Sequence, residues 1–292
     1  MREVVIISGK GGTGKTSLTG AFAHVSENKI ICDLDVDAPD LHILLDPING
    51  QTHDFYSGHL AVIDNSRCRD CGICLDMCRY KAILYQEDRY VVDGLRCEGC
   101  KVCVSFCPDQ AIDFPARHCG HWFVSSTRFG TMVHAQLTPG AENSGRLVSL
   151  LRQKAREKAE LERSKLILCD GAPGIGCPVI SSLSGTDLAV IVAEPTLSGV
   201  HDLKRVASLC THFKIKTAVL VNKFDLNLEQ FQNIREYCLK NSYVFLGGLV
   251  HDPAVTRSMV ERKVITECNE SPMAGAVRQV WKRIEDLLQE SR

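Results

Sequence analysis

Four cysteines, Cys68, Cys71, Cys74 and Cys78, follow the spacing C-x2-C-x2-C-x3-C, and Cys97, Cys100, Cys103 and Cys107 repeat it at a constant offset of 29 residues. The repeat reaches past the thiols: Arg67 recurs as Arg96, and Ala82-Ile83 recurs as Ala111-Ile112. The region therefore reads as one unit duplicated with pseudo-twofold symmetry. A short turning loop can aim three thiols at three corners of one metal centre, while the fourth corner must be filled from elsewhere. The segment from Ala61 to Arg117 holds few large apolar side chains. In a module of roughly 55 residues, metal binding then supplies much of the folding free energy.

The 15 cysteines of this 292-residue chain need an explanation before their geometry does. The chain opens Met1-Arg2-Glu3 and runs straight into Val4-Val5-Ile6-Ile7, with no signal-peptide pattern and no membrane-length apolar run. A soluble, cytoplasmic protein is expected, and in that compartment disulfides are rare, which favours metal ligation. Hydrophobic residues at 45% and charged residues at 24% describe an ordinary packed globular protein. Thirty-four basic against 35 acidic side chains leave a formal charge of -1, without the basic footprint of a general nucleic-acid binder. Neither nucleic acid nor membrane is expected as a partner.

The comb resembles the bacterial two-cluster ferredoxins. That resemblance implies that Cys68, Cys71 and Cys74 hold one [4Fe-4S] cluster with Cys107, and that Cys97, Cys100 and Cys103 hold the other with Cys78. Cys107-Pro108 keeps the family's proline, whereas Cys78 is followed by Arg79. Zinc fits less well, because structural zinc uses paired CxxC or Cys/His sets rather than a third cysteine at the same interval.

The N-terminal strand Val4–Ser8 leads into Gly9-Lys10-Gly11-Gly12-Thr13-Gly14-Lys15-Thr16-Ser17, after which Leu18, Ala21, Phe22 and Val25 mark one face of a helix. This is a P-loop in its required strand–loop–helix setting. Its glycines let backbone N–H groups cradle phosphates, Lys15 reaches the β- and γ-phosphates, and the Thr16 hydroxyl meets Mg²⁺. The strand Lys29–Cys32 ends in Asp33-Leu34-Asp35-Val36-Asp37, and Lys165–Cys169 ends in Asp170 followed by Gly171-Ala172-Pro173-Gly174-Ile175-Gly176. Strand carboxyl ends are where open α/β sheets keep their ligands.

The loop G-K-G-G-T-G-K-T resembles the deviant Walker A motif of the MinD, ParA and nitrogenase iron protein group. The resemblance implies that Lys10 crosses a dimer interface to the partner's nucleotide, and hence an ATP-dependent homodimer. It implies that Asp35 positions the attacking water, with Asp33 near the metal and Asp37 a rival for either role. It also implies that Asp170 holds Mg²⁺ as a Walker B acid before a mobile second switch. Asn222-Lys223-Phe224-Asp225 matches the guanine-reading N-K-x-D pattern, but in this group the asparagine contacts adenine, with Asp252-Pro253 close to the base. ATP is therefore favoured over GTP.

The remaining strands, Leu188–Val192, Thr217–Val221 and Val244–Leu246, alternate with helices near Ser198–Thr211 and Leu228–Lys240. The fold expected is α/β, a mostly parallel P-loop NTPase sheet interrupted by an inserted α+β ferredoxin-like domain. The boundaries are 1–60 and 118–292 for the ATPase and 61–117 for the insertion. Nearly the whole chain resembles the MinD/Mrp-type ATPases with such an insertion.

Other features carry less. Cys32, Cys169, Cys210, Cys238 and Cys268 read as small buried hydrophobes. Cys177 lies seven residues beyond Asp170, matching a cluster-ligating cysteine of the nitrogenase iron protein, but Glu142-Asn143-Ser144-Gly145 offers no second cysteine. His118-Cys119-Gly120-His121 carries metal-ligand side chains but is too closely spaced for an ordinary site, and reads as a loop closing the insertion. The Arg152–Lys165 stretch reads as a solvated helix face, and the last helix as docked through Val277, Val280, Trp281, Ile284, Leu287 and Leu288. Three functions remain open: ATP-gated electron transfer to an unknown redox protein, an ATPase carrier or scaffold delivering a metallocluster, and a ParA-like switch.

Overall fold

The computed structural model describes residues 1–141, 144–268 and 271–290. The chain divides into two compact units, one of residues 1–53, 122–136 and 144–292 and the other of residues 54–121 and 137–143. Glu142 and Asn143, in the segment singled out beside Cys177, lie outside the described residues.

The first unit is built on a sheet of order β13-β12-β11-β1-β10-β2-β9-β8-β3. Six of its strands form a parallel run ending at the edge strand β13 (Val244–Leu249): β1 (Arg2–Ser8), β2 (Lys29–Asp33), β10 (Leu166–Pro173), β11 (Leu188–Ala193), β12 (Lys216–Asn222) and β13. They pair in parallel. Most are unbroken apolar runs because helices cover both faces, so no side of the strand meets water. Val4, Val5, Ile6 and Ile7 are all fully buried.

The covering helices are α1 (Lys15–Val25), α2 (Leu41–Leu45), α5 (Ser144–Glu162), α6 (Cys177–Leu183), α7 (Leu197–His212), α8 (Leu228–Lys240), α9 (Pro253–Val260) and α10 (Pro272–Gln289). α10 docks through buried Val277, Val280, Trp281 and Ile284, and Trp281 lies 5.3 Å from the Phe22 ring of α1. No described helix is long and apolar enough to cross a membrane.

Three strands were not anticipated: β3 (Ile48–His59), β8 (Ala116–Thr127) and β9 (Gly130–Leu137). β9 joins β2 in parallel, and only Arg128-Phe129 separates β8 from β9, a connection short enough only for an antiparallel hairpin. The segment 118–121 is thus strand, not loop. The chain enters the second unit along β3 and leaves it along β8, so that unit runs beyond the expected 61–117. A second correction concerns α5, whose charged stretch is not all solvated. Arg152 is buried, its guanidinium bound to Glu3 Oε1 at 2.5 Å and to the Ser181 and Ser184 carbonyls at 2.6 Å each. A buried ion pair of this kind needs every donor satisfied.

The second unit contains β4 (Val62–Ile63), α3 (Ile73–Met77), β5 (Ile83–Gln86), β6 (Arg89–Val92), α4 (Val102–Phe106) and β7 (Ile112–Asp113). β4 pairs with β7 and β5 with β6, both antiparallel. The sequence repeat is also a hydrogen-bond repeat. The Asp64 N–H donates to the Ala111 carbonyl at 2.8 Å, and its counterpart Asp93 donates to Ala82, the counterpart of Ala111, at 2.7 Å. Each half therefore closes on the other, and a core of Ala61, Cys74, Ile83 and Ile112 joins them.

Candidate nucleotide and thiol sites

At the carboxyl edge of the sheet, β1 empties into the phosphate loop. Gly12 and Gly14 have φ of 80° and 89°, a left-handed backbone that glycine adopts without strain. A Cβ on Gly14 would also lie 2.4 Å from Asn222 Nδ2. Lys15, nearly buried at the start of α1, is 2.9 Å from Asp170 Oδ1 and 3.3 Å from Asp35 Oδ2. The Thr16 hydroxyl donates to Asp170 Oδ2 at 2.7 Å, and Thr19, which sequence reasoning missed, donates to Asp170 Oδ1 at 2.9 Å.

Asp33 and Asp170 are partners in the β2–β10 ladder. Asp33 accepts from the Asp35 N–H at 3.1 Å through Oδ1, while its buried Oδ2 has no hydrogen-bond partner among the described residues. Burial, then the charge of Asp170, pushes Asp33 well above the usual carboxylate range, and burial also raises Asp35. Burial opposes the charge of Lys15, yet Asp170 and Asp35 hold its ammonium above the ordinary lysine value. Asp37 is exposed. Hard carboxylate and hydroxyl oxygens around an orphaned buried acid form a donor set suited to Mg²⁺.

A cavity of about 490 Å³ is lined by Gly11 through Ser17, Asp35 and Pro173. A second, of about 230 Å³, lies among Leu18, Asn222, Asp252, Val255, Met273 and Val277. Gly12, Gly14 and Ser17 line both, so the chamber around the phosphate loop adjoins the one that holds Asn222 and Asp252. Two adjoining chambers at the loop give room for a nucleotide's phosphates and its base. Asn222 donates to the Thr13 carbonyl at 2.8 Å, tying β12 to the loop. Asp252 caps α9 by accepting from the Ala254 N–H, and Pro253 is the first residue of that helix. Asp225 accepts from the His251 N–H at 2.6 Å.

Lys10 is turned onto its own chain, 3.1 Å from Glu194 Oε2, and Lys223 reaches the other oxygen of Glu194 at 2.7 Å. Glu194 was missed, although it directly follows the buried strand β11, much as Asp33 ends β2. Burial disfavours its charge, but the bonds from Lys223 and Lys10 hold it below the ordinary range. Gly9 packs against α7, where a Cβ would lie 2.4 Å from Asp202 Cβ.

In the second unit the eight comb thiols fall into two groups. Cys68, Cys71, Cys74 and Cys107 line one cavity, and Cys78, Cys97, Cys100 and Cys103 line the other. Each cavity takes three cysteines from one half and one from the other. The Ala82 N–H donates to Cys78 Sγ and the Ala111 N–H to Cys107 Sγ, both at 3.3 Å. Burial pushes the Cys74 thiol up to about 11 and raises Cys103 as well, so a metal taking up these sulfurs must expel protons. Four convergent soft donors per cavity fit an iron–sulfur centre.

Of the remaining thiols, Cys32, Cys169, Cys210 and Cys238 are buried as expected, Cys119 is also buried, and Cys268 is half-buried. Only Cys177 outside the comb is exposed, at the first position of α6, where it packs against Gly145.

The family model of the CobQ/CobB/MinD/ParA nucleotide binding domain matches residues 4–265. An uncharacterised protein of Methanocaldococcus jannaschii is 32% identical over 229 residues, which is 77% of this chain and 79% of that protein. A second from the same organism is 24% identical over 78% of this chain and 82% of its own. Among solved structures, MinD of Pyrococcus horikoshii, complexed with Mg-ADP, superposes with a TM-score of 0.59 at 16% identity, covering 100% of this chain and 98% of that one. A ParA family ATPase of Chlorobium tepidum gives 0.54 at 17% identity, covering 96% and 98%. With the phosphate loop seated at the sheet edge, the chain belongs to the CobQ/CobB/MinD/ParA nucleotide-binding family and is a P-loop ATPase of the MinD/ParA type.

Proposed function

We propose that this ATPase is an iron–sulfur protein in which the nucleotide state governs electron transfer through two [4Fe-4S] clusters, held in a ferredoxin-like insertion akin to that of the MinD/Mrp-type ATPases. The observation that carries the reading is the three-plus-one sorting of the comb thiols into two cavities. Cys68, Cys71, Cys74 and Cys107 hold one cluster, and Cys97, Cys100, Cys103 and Cys78 hold the other. When bound, the clusters supply one-electron storage and transfer.

At the nucleotide, Lys15 and the backbone N–H groups of Gly11 to Thr16 bind the phosphates, and Ser17 and Asn222 line the path to the base. Thr16 and Asp170 hold Mg²⁺, with Asp33 behind them. When bound, Mg²⁺ neutralises charge on the transferring phosphoryl group. Asp35 leaves Lys15 as the γ-phosphate takes the ammonium, and its freed carboxylate orients the attacking water. Lys10 leaves Glu194 and serves the nucleotide of a second copy, so hydrolysis is tied to a homodimer. From Asp35 the chain passes through α2 and enters the cluster-bearing unit along β3. The segment that answers the γ-phosphate is therefore continuous with that unit.

Anaerobic purification followed by iron and sulfide counting tests the reading: about eight of each per chain are expected. Asp35→Asn should bind ATP and retain the iron while hydrolysis falls by about 10²-fold or more. A protein that hydrolyses ATP but never holds iron leaves the ATPase standing and removes the redox role. The carrier reading draws on Cys177, the one exposed thiol outside the comb. Transfer of iron to an apo-acceptor, abolished by Cys177→Ser, would favour it.

A further inference from the structure

Asp54, His118 and His121 form another set of metal-ligand side chains in the second unit. Three positions apart on a regular strand, the two histidines would face opposite ways. Gly120 breaks the alternation with φ of 144°, and Cys119 and Gly120 are buried in succession. Both imidazoles consequently share a face, their ring centroids 4.8 Å apart. Asp54 on β3 sends one oxygen toward both: Oδ1 is 3.3 Å from His118 Nε2 and 3.0 Å from His121 Nδ1. The three donor atoms all lie within 4.8 Å of one another. Cys119 is not a fourth member, since its Sγ donates to the Ser57 carbonyl.

We propose that Asp54, His118 and His121 bind one divalent first-row transition ion, best matched by zinc, with water completing the shell. Two imidazoles and a carboxylate meeting at one point are a zinc donor set of three protein ligands and an open position. The side chains are 54%, 38% and 46% exposed, so the cluster lies at the surface, with His121 Nδ1 itself covered. The ion clips β3 to β8, the strands by which the chain enters and leaves this unit. The site uses no comb thiol and stands whether or not those thiols carry iron.

Zinc chloride added to the anaerobically purified full-length protein, followed by gel filtration, metal counting and zinc K-edge absorption, tests this. One zinc per chain in a shell of nitrogen and oxygen at about 2.0–2.1 Å is expected, distinct from the sulfur distance of about 2.3 Å that comb thiols would give. His118→Ala, His121→Ala and the shape-preserving Asp54→Asn should each weaken binding at least about tenfold. Iron content and melting temperature without zinc should stay unchanged. Zinc seen only with sulfur neighbours, or a nitrogen–oxygen shell that persists in the His118→Ala/His121→Ala double variant, overturns the proposal.

Discussion

Asp33→Asn should stabilise the nucleotide-free protein while destroying its response to Mg-ATP. Asp33 is 1% exposed, has one carboxylate oxygen without a hydrogen bond, and sits at the same ladder step as Asp170. An unsatisfied buried polar group costs about 1–3 kcal/mol, and a neighbouring carboxylate adds repulsion. An amide removes the charge and offers a donor to Asp170, so a gain of about 1–3 kcal/mol is expected, or about 2–4 °C in melting temperature for each kcal/mol. Asp170 is the internal contrast, because Thr16, Thr19 and Lys15 all bind its carboxylate. Asp170→Asn breaks a satisfied buried pair and should lose about 3 kcal/mol or more. The assay is thermal unfolding in chelator without nucleotide, repeated with Mg-ATP at about a hundred times its Kd, where wild type gains about 2.7 kcal/mol. An Asp33→Asn protein that melts below wild type in chelator, or keeps the full Mg-ATP gain, refutes the assignment of Asp33 to the metal.

Glu194→Gln releases Lys10 and Lys223 from their shared carboxylate, and ATP-dependent self-association measured by sedimentation should strengthen about two- to fivefold. His134, packed against Phe123 and bonded to Ser125 at 3.1 Å, is pushed down to about 4 by burial and by the neighbouring His42. The unfolded chain takes up this proton near pH 6.5 and the folded chain does not, so stability is full above that pH. It falls by about 3 kcal/mol toward pH 4, and His134→Gln should flatten this part of a denaturation-versus-pH curve. Cys107→Ser should lower iron from about eight to about four per chain. It should open Cys68, Cys71 and Cys74 to alkylation while Cys97, Cys100 and Cys103 stay protected, the reverse of what sequence proximity suggests.

The sequence was most legible where one physical demand dominates a stretch of chain. Val4–Ile7 and Leu188–Val192 are apolar at every position, as strands covered on both faces must be, and the acids toward the carboxyl ends of β2 and β10 mark the ligand edge. The strands that escaped, β3, β8 and β9, are rich in polar residues and histidine and keep neither a long apolar run nor a regular alternation, so periodicity gives little signal there. Gly120 makes β8 harder still, because its positive φ breaks the alternation between His118 and His121. Arg152 illustrates a different limit. Its burial depends on Glu3, 149 positions away, so a local reading of charges sees a solvated face. Glu194 was legible by the strand-ending rule and was passed over, whereas Asp54 acquires meaning only once β3 lies beside β8.

The claim that joins the two units is that the triphosphate is felt at the thiol-held metal. A potentiometric titration followed by EPR, run on one anaerobic preparation with Mg-ATP and again without nucleotide, measures this directly. A displacement of the cluster midpoints on the order of 60 mV, tenfold in the one-electron equilibrium, is predicted. Identical midpoints and line shapes, in protein that carries its full iron and turns over ATP, would contradict the account.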